Sequence, residues 1–226
     1  MPRVTRIGVA NKATETLVFA AGFAHYRARL DDTQQRALAR SVEAIVAAAP
    51  LYRPAVPRTG KPFSIEMTNC GTLGWVSDRE GGYRYQPHHP VTGAPWPGMP
   101  PMLIDLWRDL AGCPALPEAC LINHYTTGTK LGSHIDADEQ EFTAPVISVS
   151  LGDDAVFHVG GPTRSAPKQR LILRSGDVVV LGGASRRAYH GIDSVRTGTS
   201  DVVPRGGRFN LTLRRVNSVP ASDVRG

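Results

Sequence analysis

Apolar and polar residues alternate along two stretches late in the chain. Val146-Ile147-Ser148-Val149-Ser150-Leu151 has the pattern of a half-polar strand, and in Arg208-Phe209-Asn210-Leu211-Thr212-Leu213-Arg214 the alternation is strict. Side chains on a strand point to opposite faces in turn. Arg208, Asn210, Thr212 and Arg214 therefore share one face, and Phe209, Leu211 and Leu213 the other. Further candidate strands at 120–126, 155–159, 170–174, 177–181 and 188–192 join 146–151 and 207–216. They recur about every ten residues with Gly, Asp and Pro between them, which predicts an antiparallel sandwich or barrel.

A different period marks the first half. Leu38, Val42, Ile45 and Val46 fall on one face of a helix predicted over 31–49, with Asp31 or Asp32 as N-cap and Pro50 as its end. A second helix is predicted over about 101–110, where Met102, Ile104, Leu106 and Trp107 are apolar and Gly112 and Pro114 close the segment. Between them, 51–100 is rich in Gly, Pro and aromatic residues and cannot form a long helix. It fits short strands or a hairpin with loops, and such a segment suits a functional lid or an inward-packed structural loop. The fold class is α+β, mainly β, with helices laid against an antiparallel β core.

Composition narrows the picture only a little. A chain of 226 residues, 41% hydrophobic and 20% charged, suffices for one globular domain with a sizeable core. Lys and Arg outnumber Asp and Glu by 26 to 20, an excess compatible with a polyanionic partner. Arg164, Lys168, Arg170, Arg174, Arg186 and Arg187 crowd into one stretch, which reads either as solvated turns or as a phosphate-gripping surface. Cys70, Cys113 and Cys120 are odd in number and lack CxxC spacing, which argues against a disulfide framework and a structural zinc site. Reduced thiols in a cytoplasm are the simplest account. The apolar patch at 17–24 is too short to span a bilayer and makes a poor secretory signal. The chain is thus expected to be cytoplasmic, with no membrane partner.

Chemistry enters with His134-Ile135-Asp136. On an extended segment the imidazole and carboxylate project to the same face, as the local half of a two-histidine, one-carboxylate metal site that leaves positions open on iron(II). HxD by itself is weak and needs a distal histidine. His190, followed by Gly191 and preceded by the strand pattern at 177–181, is preferred over His124 and His158. Arg208 and Arg214 on one inward polar face need anionic partners, because a buried unpaired charge is very costly. A dicarboxylate such as 2-oxoglutarate suits two guanidinium groups. Asn123 and Tyr125, two apart on the strand before HxD, add an amide and a phenol that either bond the same co-substrate or satisfy the core.

These residues resemble the AlkB family over roughly 52–214. The matching blocks are Met67-Thr68-Asn69-Cys70-Gly71, Leu73-Gly74-Trp75, Ala119-Cys120-Leu121-Ile122-Asn123, His134 through Glu139, Gly176-Asp177-Val178-Val179-Val180, and Arg208 through Arg214. The resemblance implies a double-stranded β-helix, or jelly roll, with an N-terminal nucleotide-recognition lid. It implies that His134, Asp136 and His190 hold iron(II), and that Arg208 and Arg214, helped by Asn123, Tyr125 and Asn210, hold 2-oxoglutarate, with O2 as the other co-substrate. It further implies that Trp75 stacks on a target base, with Tyr83 and Met67 near it, although Met67 equally reads as core filling. Asp138 would face the base and favour cationic lesions such as 1-methyladenine and 3-methylcytosine, and the stretch from Arg164 to Arg170 would grip phosphates.

The expected activity is oxidative demethylation of N-alkylated bases in single- or double-stranded DNA by a monomeric dioxygenase, releasing formaldehyde, succinate and carbon dioxide. RNA or a protein side chain is the alternative substrate, and a non-catalytic metal-binding jelly roll the alternative class. A zinc hydrolase is disfavoured by the absence of HExxH or paired cysteine ligands. Leu181 stands where bacterial members of the family carry tryptophan, and the lid carries an extra residue near Gly81-Gly82. One structural domain is expected, divided into an N-terminal extension and supporting helix (1–50), the lid with the second helix (51–116), a catalytic core (117–216) and a tail (217–226).

Overall fold

The computed structural model describes residues 16–17 and 21–218. Its first elements are β1 (Thr16–Leu17), β2 (Phe23–Tyr26) and helix α1 (Asp32–Ala48). Strand β3 (Glu66–Gly71) and the hairpin strands β4 (Gly74–Asp78) and β5 (Gly82–Gln86) precede helix α2 (Pro101–Leu110). The remainder is strand: β6 (Ala119–Tyr125), β7 (Leu131–His134), β8 (Val146–Gly152), β9 (Asp154–Val159), β10 (Gln169–Leu173), β11 (Val178–Leu181), β12 (His190–Arg196) and β13 (Arg208–Arg214). Among the described residues, no helix is long and apolar enough to cross a membrane. The expectations for 1–15, 18–20 and 219–226 fall outside the described residues.

Local chemistry accounts for the helices. Asp31 caps α1 by accepting from Gln34 N at 2.8 Å while Gln34 Oε1 accepts from Asp31 N, a reciprocal box that satisfies two otherwise orphaned donors. Its apolar face buries Leu38, Val42, Ile45 and Val46. In α2, Pro101 stands where a missing N–H costs nothing, and Leu103, Leu106 and Trp107 are buried.

Two antiparallel sheets form the core. The larger runs β1-β2-β11-β8-β13-β6-β3 and the smaller β10-β9-β12-β7. Both helices cover the outer face of the larger sheet, where Leu38, Val42, Leu103 and Trp107 pack on Ile122, Ile147, Phe209 and Leu211. Leu121, Val146, Val179 and Leu181 of the larger sheet meet Ala155, Phe157, Leu173 and Ile192 of the smaller in a second apolar layer. This is the jelly roll with supporting helices. β13 lies between β6 and β8, so all seven of its residues are buried. Its polar face looks into the molecule rather than into solvent.

Three elements differ from the sequence reading. Strand β12 starts at His190, two residues later than expected, because a 3-10 turn at Gly183–Ser185 occupies the approach. Strand β7 was not foreseen, since Leu131-Gly132-Ser133-His134 has no alternation of its own and is recruited by pairing with β12. β2 joins the edge of β11, where Phe23 is 1% exposed.

A buried acid fastens β2 to this edge. Asp177 accepts from His25 Nε2 at 2.9 Å, Ala28 N at 2.8 Å and Arg174 N at 2.9 Å. Burial by itself would raise this carboxyl, but the bonds from His25, Arg174 and Ala28 outweigh it and hold it below the usual carboxylate range. A depressed folded pKa stabilises the fold above the unfolded carboxylate pKa of about 3.9, and that stability is lost as pH falls through the folded value. Asp177→Asn should cost about 1–3 kcal/mol at neutral pH. The gap to wild type should narrow at pH 3 in denaturant titrations; an unchanged gap would contradict the linkage.

Candidate active site

Register places the triad. His134 ends β7, His190 begins β12, and the two are direct partners across that antiparallel pair, with ring centroids 4.5 Å apart. Gly191 permits the pairing, because a Cβ there would meet Leu131 O at 2.6 Å and Gly132 O at 3.0 Å. Each ring is oriented by a local carbonyl: His134 Nδ1 donates to Gly132 O and His190 Nδ1 to Ala188 O, both at 2.9 Å. A carbonyl only accepts, so each Nδ1 carries the proton and each Nε2 presents its lone pair.

Both lone pairs converge on Asp136, just past the end of β7. Its Oδ1 is 3.9 Å from His134 Nε2, and its Oδ2 is 3.8 Å from His190 Nε2. Oδ2 has no hydrogen-bond partner among the described residues, and Oδ1 accepts from Arg214 Nη2 at 2.8 Å. Burial alone would raise the Asp136 carboxyl, but the Arg214 guanidinium, with His190, His134 and Arg186 behind it, holds it well below the usual range. Burial and the neighbouring His134 push His190 down to about 4 against the pull of Asp136. The set is two imidazoles and one carboxylate, with ligand atoms within 4.8 Å of one another, which fits iron(II). No other such group of three occurs among the described residues. His124 packs on Phe209 and meets Gly206 O instead, and His158 binds Asp193 at 2.7 Å.

Beside the triad, a cavity of about 470 Å³ opens between the sheets. The β6–β13 register sets Tyr125 opposite Arg208 and Asn123 opposite Asn210, and the β3–β6 register brings Met67 beside Asn123. Arg208 is fully buried and donates from Nη2 to Ser150 Oγ at 3.0 Å, while Nε and Nη1 have no partner among the described residues. The Tyr125 hydroxyl and Asn123 Oδ1 likewise have none, and burial pushes the phenol up to about 12 against the pull of Arg208. Asn210 donates to Ser148 Oγ at 2.6 Å. The unmet Arg208 N–H groups and the Tyr125 O–H are donors that fit a carboxylate of 2-oxoglutarate. Arg214 differs from Arg208 in having acids at hand: besides Asp136, its Nε lies 3.3 Å from Glu139 Oε1. Leu181, fully buried, lines the same cavity.

The β4–β5 hairpin forms one rim. Asn69 grips the Trp75 main chain twice, accepting from its N and donating to its O at 3.0 Å each. Tyr83 stacks on Trp75 with centroids 5.6 Å apart and planes at 20°. The Trp75 indole donates to Asp138 Oδ2 at 2.8 Å, so this exposed carboxylate sits at the cavity mouth. Arg164 lines the mouth as well, with its guanidinium 5.3 Å from the centre of the Tyr189 ring.

Three residues of the site escaped sequence reasoning. Glu139 is buried and accepts from Arg186 Nη2 at 3.1 Å and from the Tyr85 hydroxyl. Arg186 also donates to Ala144 O and Asp136 O, so it is no part of a solvated basic surface. Burial raises Tyr85 well above the usual phenol range. No local pattern marks these residues, since the paired charges lie far apart in the chain.

Comparison with known proteins agrees with this geometry. The 2OG-Fe(II) oxygenase superfamily model matches residues 22–214. The chain is 48% identical over 204 residues to an alpha-ketoglutarate-dependent dioxygenase AlkB homolog of Caulobacter vibrioides, covering 89% of this chain and 91% of that one. It is 44% identical over 182 residues to the alpha-ketoglutarate-dependent dioxygenase AlkB of Escherichia coli, covering 79% and 83%. The solved structure of OsALKBH1 matches with a TM-score of 0.78 and 27% identity, over 89% of this chain and all of that one. The chain belongs to the AlkB family of the 2OG-Fe(II) oxygenase superfamily and is an iron(II)- and 2-oxoglutarate-dependent dioxygenase.

Proposed function

We propose that the enzyme removes methyl groups from the ring nitrogens of cationic bases, 1-methyladenine and 3-methylcytosine, in DNA. The observation that carries this reading is the Asp138 carboxylate at the cavity mouth, bonded to the Trp75 indole. An aromatic face and an anion side by side suit a flat cation better than an aliphatic side chain or a neutral base. His134, Asp136 and His190 hold the iron, and Arg208, Tyr125, Asn123 and Asn210 receive 2-oxoglutarate with Arg214 near its other end. Bound iron with 2-oxoglutarate and O2 supplies the oxidation of the N-methyl group, with succinate and carbon dioxide as co-products.

The protein's own contribution is placement. The Nδ1 bonds to Gly132 and Ala188 hold both imidazoles with Nε2 forward, and Arg214 keeps Asp136 ionised. Phe157, Leu181 and Ile192 keep the inner cavity apolar. Trp75 and Asp138 orient the base so that its methyl faces the triad. Hydroxylation leaves an N-hydroxymethyl group, which loses formaldehyde and restores the base. A base stacked in a duplex must first be flipped out, so single strands are the less demanding substrate. Arg164 lines the mouth, where it can meet a phosphate of the strand, and binding weakens as salt rises. We assign a monomer working in the cytoplasm, consistent with three free thiols.

Anaerobic protein loaded with iron(II), 2-oxoglutarate and a 3-methylcytosine oligonucleotide should, on admission of air, convert methyl to hydrogen by mass spectrometry. His134→Ala should give none. DNA and RNA oligonucleotides run in parallel decide the polymer. Succinate formed while every base stays methylated would retain the dioxygenase and refute the base assignment.

A further inference from the structure

The lid is joined to the metal-binding loop at two points that differ in kind. Trp75 and Tyr85 are direct partners across the β4–β5 hairpin, so their side chains leave the same face. Their polar tips reach consecutive residues of the loop that follows Asp136: the indole N–H donates to Asp138 and the phenol O–H to Glu139. Asp138 is exposed, and Trp75 is the only hydrogen-bond partner its side chain shows among the described residues. Glu139 is 5% exposed and fixed from behind, by Arg186 at 3.1 Å and Arg214 at 3.3 Å. Arg186 also holds the backbone of Asp136 through its carbonyl at 3.1 Å.

We infer that the hairpin is latched asymmetrically, with Tyr85–Glu139 as the fixed end and Trp75–Asp138 as the releasable end. The inference rests on the proposed base substrate for its purpose but not for its geometry. A bond to a solvated carboxylate exchanges readily with water, whereas one to a buried, doubly paired carboxylate does not. As a base enters, the indole lets go of Asp138 and frees that carboxylate to face the cation. Tyr85 keeps the hairpin registered over the triad meanwhile. Tyr85 touches neither base nor iron in this arrangement; it is a positioning residue acting through Glu139.

Hydrogen–deuterium exchange on the metal-free protein tests the latch without turnover. Tyr85→Phe keeps the ring and removes the hydroxyl, and should speed exchange across 74–86 about tenfold, the loss of one charge-assisted buried bond. Trp75→Phe should speed it less than about threefold. Peptides from 208–214 should be unchanged in both. In steady state, Tyr85→Phe should raise KM for the methylated oligonucleotide more than it lowers kcat. Wild-type exchange in Tyr85→Phe, a larger effect from Trp75→Phe, or equal acceleration in 208–214 would each overturn the asymmetric latch. Failure of the wild type to act on methylated bases would refute the substrate reading and leave the exchange result to decide the latch.

Discussion

Asp136→Ala and His134→Ala should both abolish succinate formation, yet only the first should destabilise the metal-free protein. Each removes one member of a three-donor set, and iron affinity should fall more than about 100-fold, beyond what loss of an outer-shell partner costs. Their structural circumstances differ. The Asp136 carboxylate is buried against the Arg214 guanidinium at 2.8 Å. Taking away one partner of a buried ion pair leaves a charge stranded, at a cost of about 3–5 kcal/mol. Glu139 also faces Arg214, but at 3.3 Å and without hydrogen-bond alignment at Nε, so it offsets only part of that. His134 has a third of its side chain exposed, and its structural bond is a local one to Gly132 O. Its removal should cost less than about 1 kcal/mol. Urea titrations of the metal-free proteins beside a succinate assay separate the two effects. Equal stability of the variants would show that Arg214 does not depend on Asp136, and turnover by either would remove that residue from the iron site.

Arg208→Met should move stability and activity in opposite directions. The guanidinium is fully buried and its nearest polar partner is a hydroxyl, Ser150 Oγ. The Tyr125 ring lies 5.3 Å from its centre and gives some cation–π compensation. No carboxylate bonds to it among the described residues, and burial lowers its pKa from the usual arginine value. A cation in that state destabilises the ligand-free fold. An apolar side chain of similar length should stabilise the ligand-free protein by about 1–3 kcal/mol. The same change deletes the partner awaiting the co-substrate carboxylate. Losing one side of a buried, hydrogen-bonded charge pair costs about 2–5 kcal/mol, so KM for 2-oxoglutarate should rise at least about 30-fold. Arg208→Lys should not restore it, because an ammonium cannot reproduce the planar fork. A thermal melt without ligands and a 2-oxoglutarate titration supply the two numbers. A variant less stable than wild type and unchanged in KM would place Arg208 among structural residues.

The two arginines of one strand thus divide the work. Arg208 has donors unmet and suits an external anion, whereas Arg214 is occupied with Asp136 and Glu139. Alternation along β13 put both on one inward face, but it could not distinguish them. That distinction depends on which acids the loop after β7 brings to Arg214. The same loop explains Arg186. In the chain it belongs to a basic cluster that reads either as solvated turns or as a phosphate-gripping surface; in the fold it is 3% exposed and spans Ala144, Asp136 and Glu139.

What the chain determined alone was whatever rests on local periodicity and on spacing along one strand. Alternation in 208–214 specified a strand with four polar residues on one face, and the 3.6-residue period in 31–49 specified an amphipathic helix capped by Asp31. Asn123 and Tyr125, two apart, already shared a face. HxD marked a ligand pair without saying which histidine completes it, because the answer lies in the pairing of β7 with β12. Neither β7 nor the true start of β12 was legible, since Leu131-Gly132-Ser133-His134 has no strand pattern until β12 supplies its hydrogen bonds. The tertiary structure alone decided that His134 and His190 are register partners, that Tyr125 stands opposite Arg208, and that Trp75 and Tyr85 reach Asp138 and Glu139. Local rules govern backbone conformation and the faces of each element. Contacts between charges distant in sequence are set by sheet register and by the cost of burying an ion without a partner, which only the assembled fold expresses.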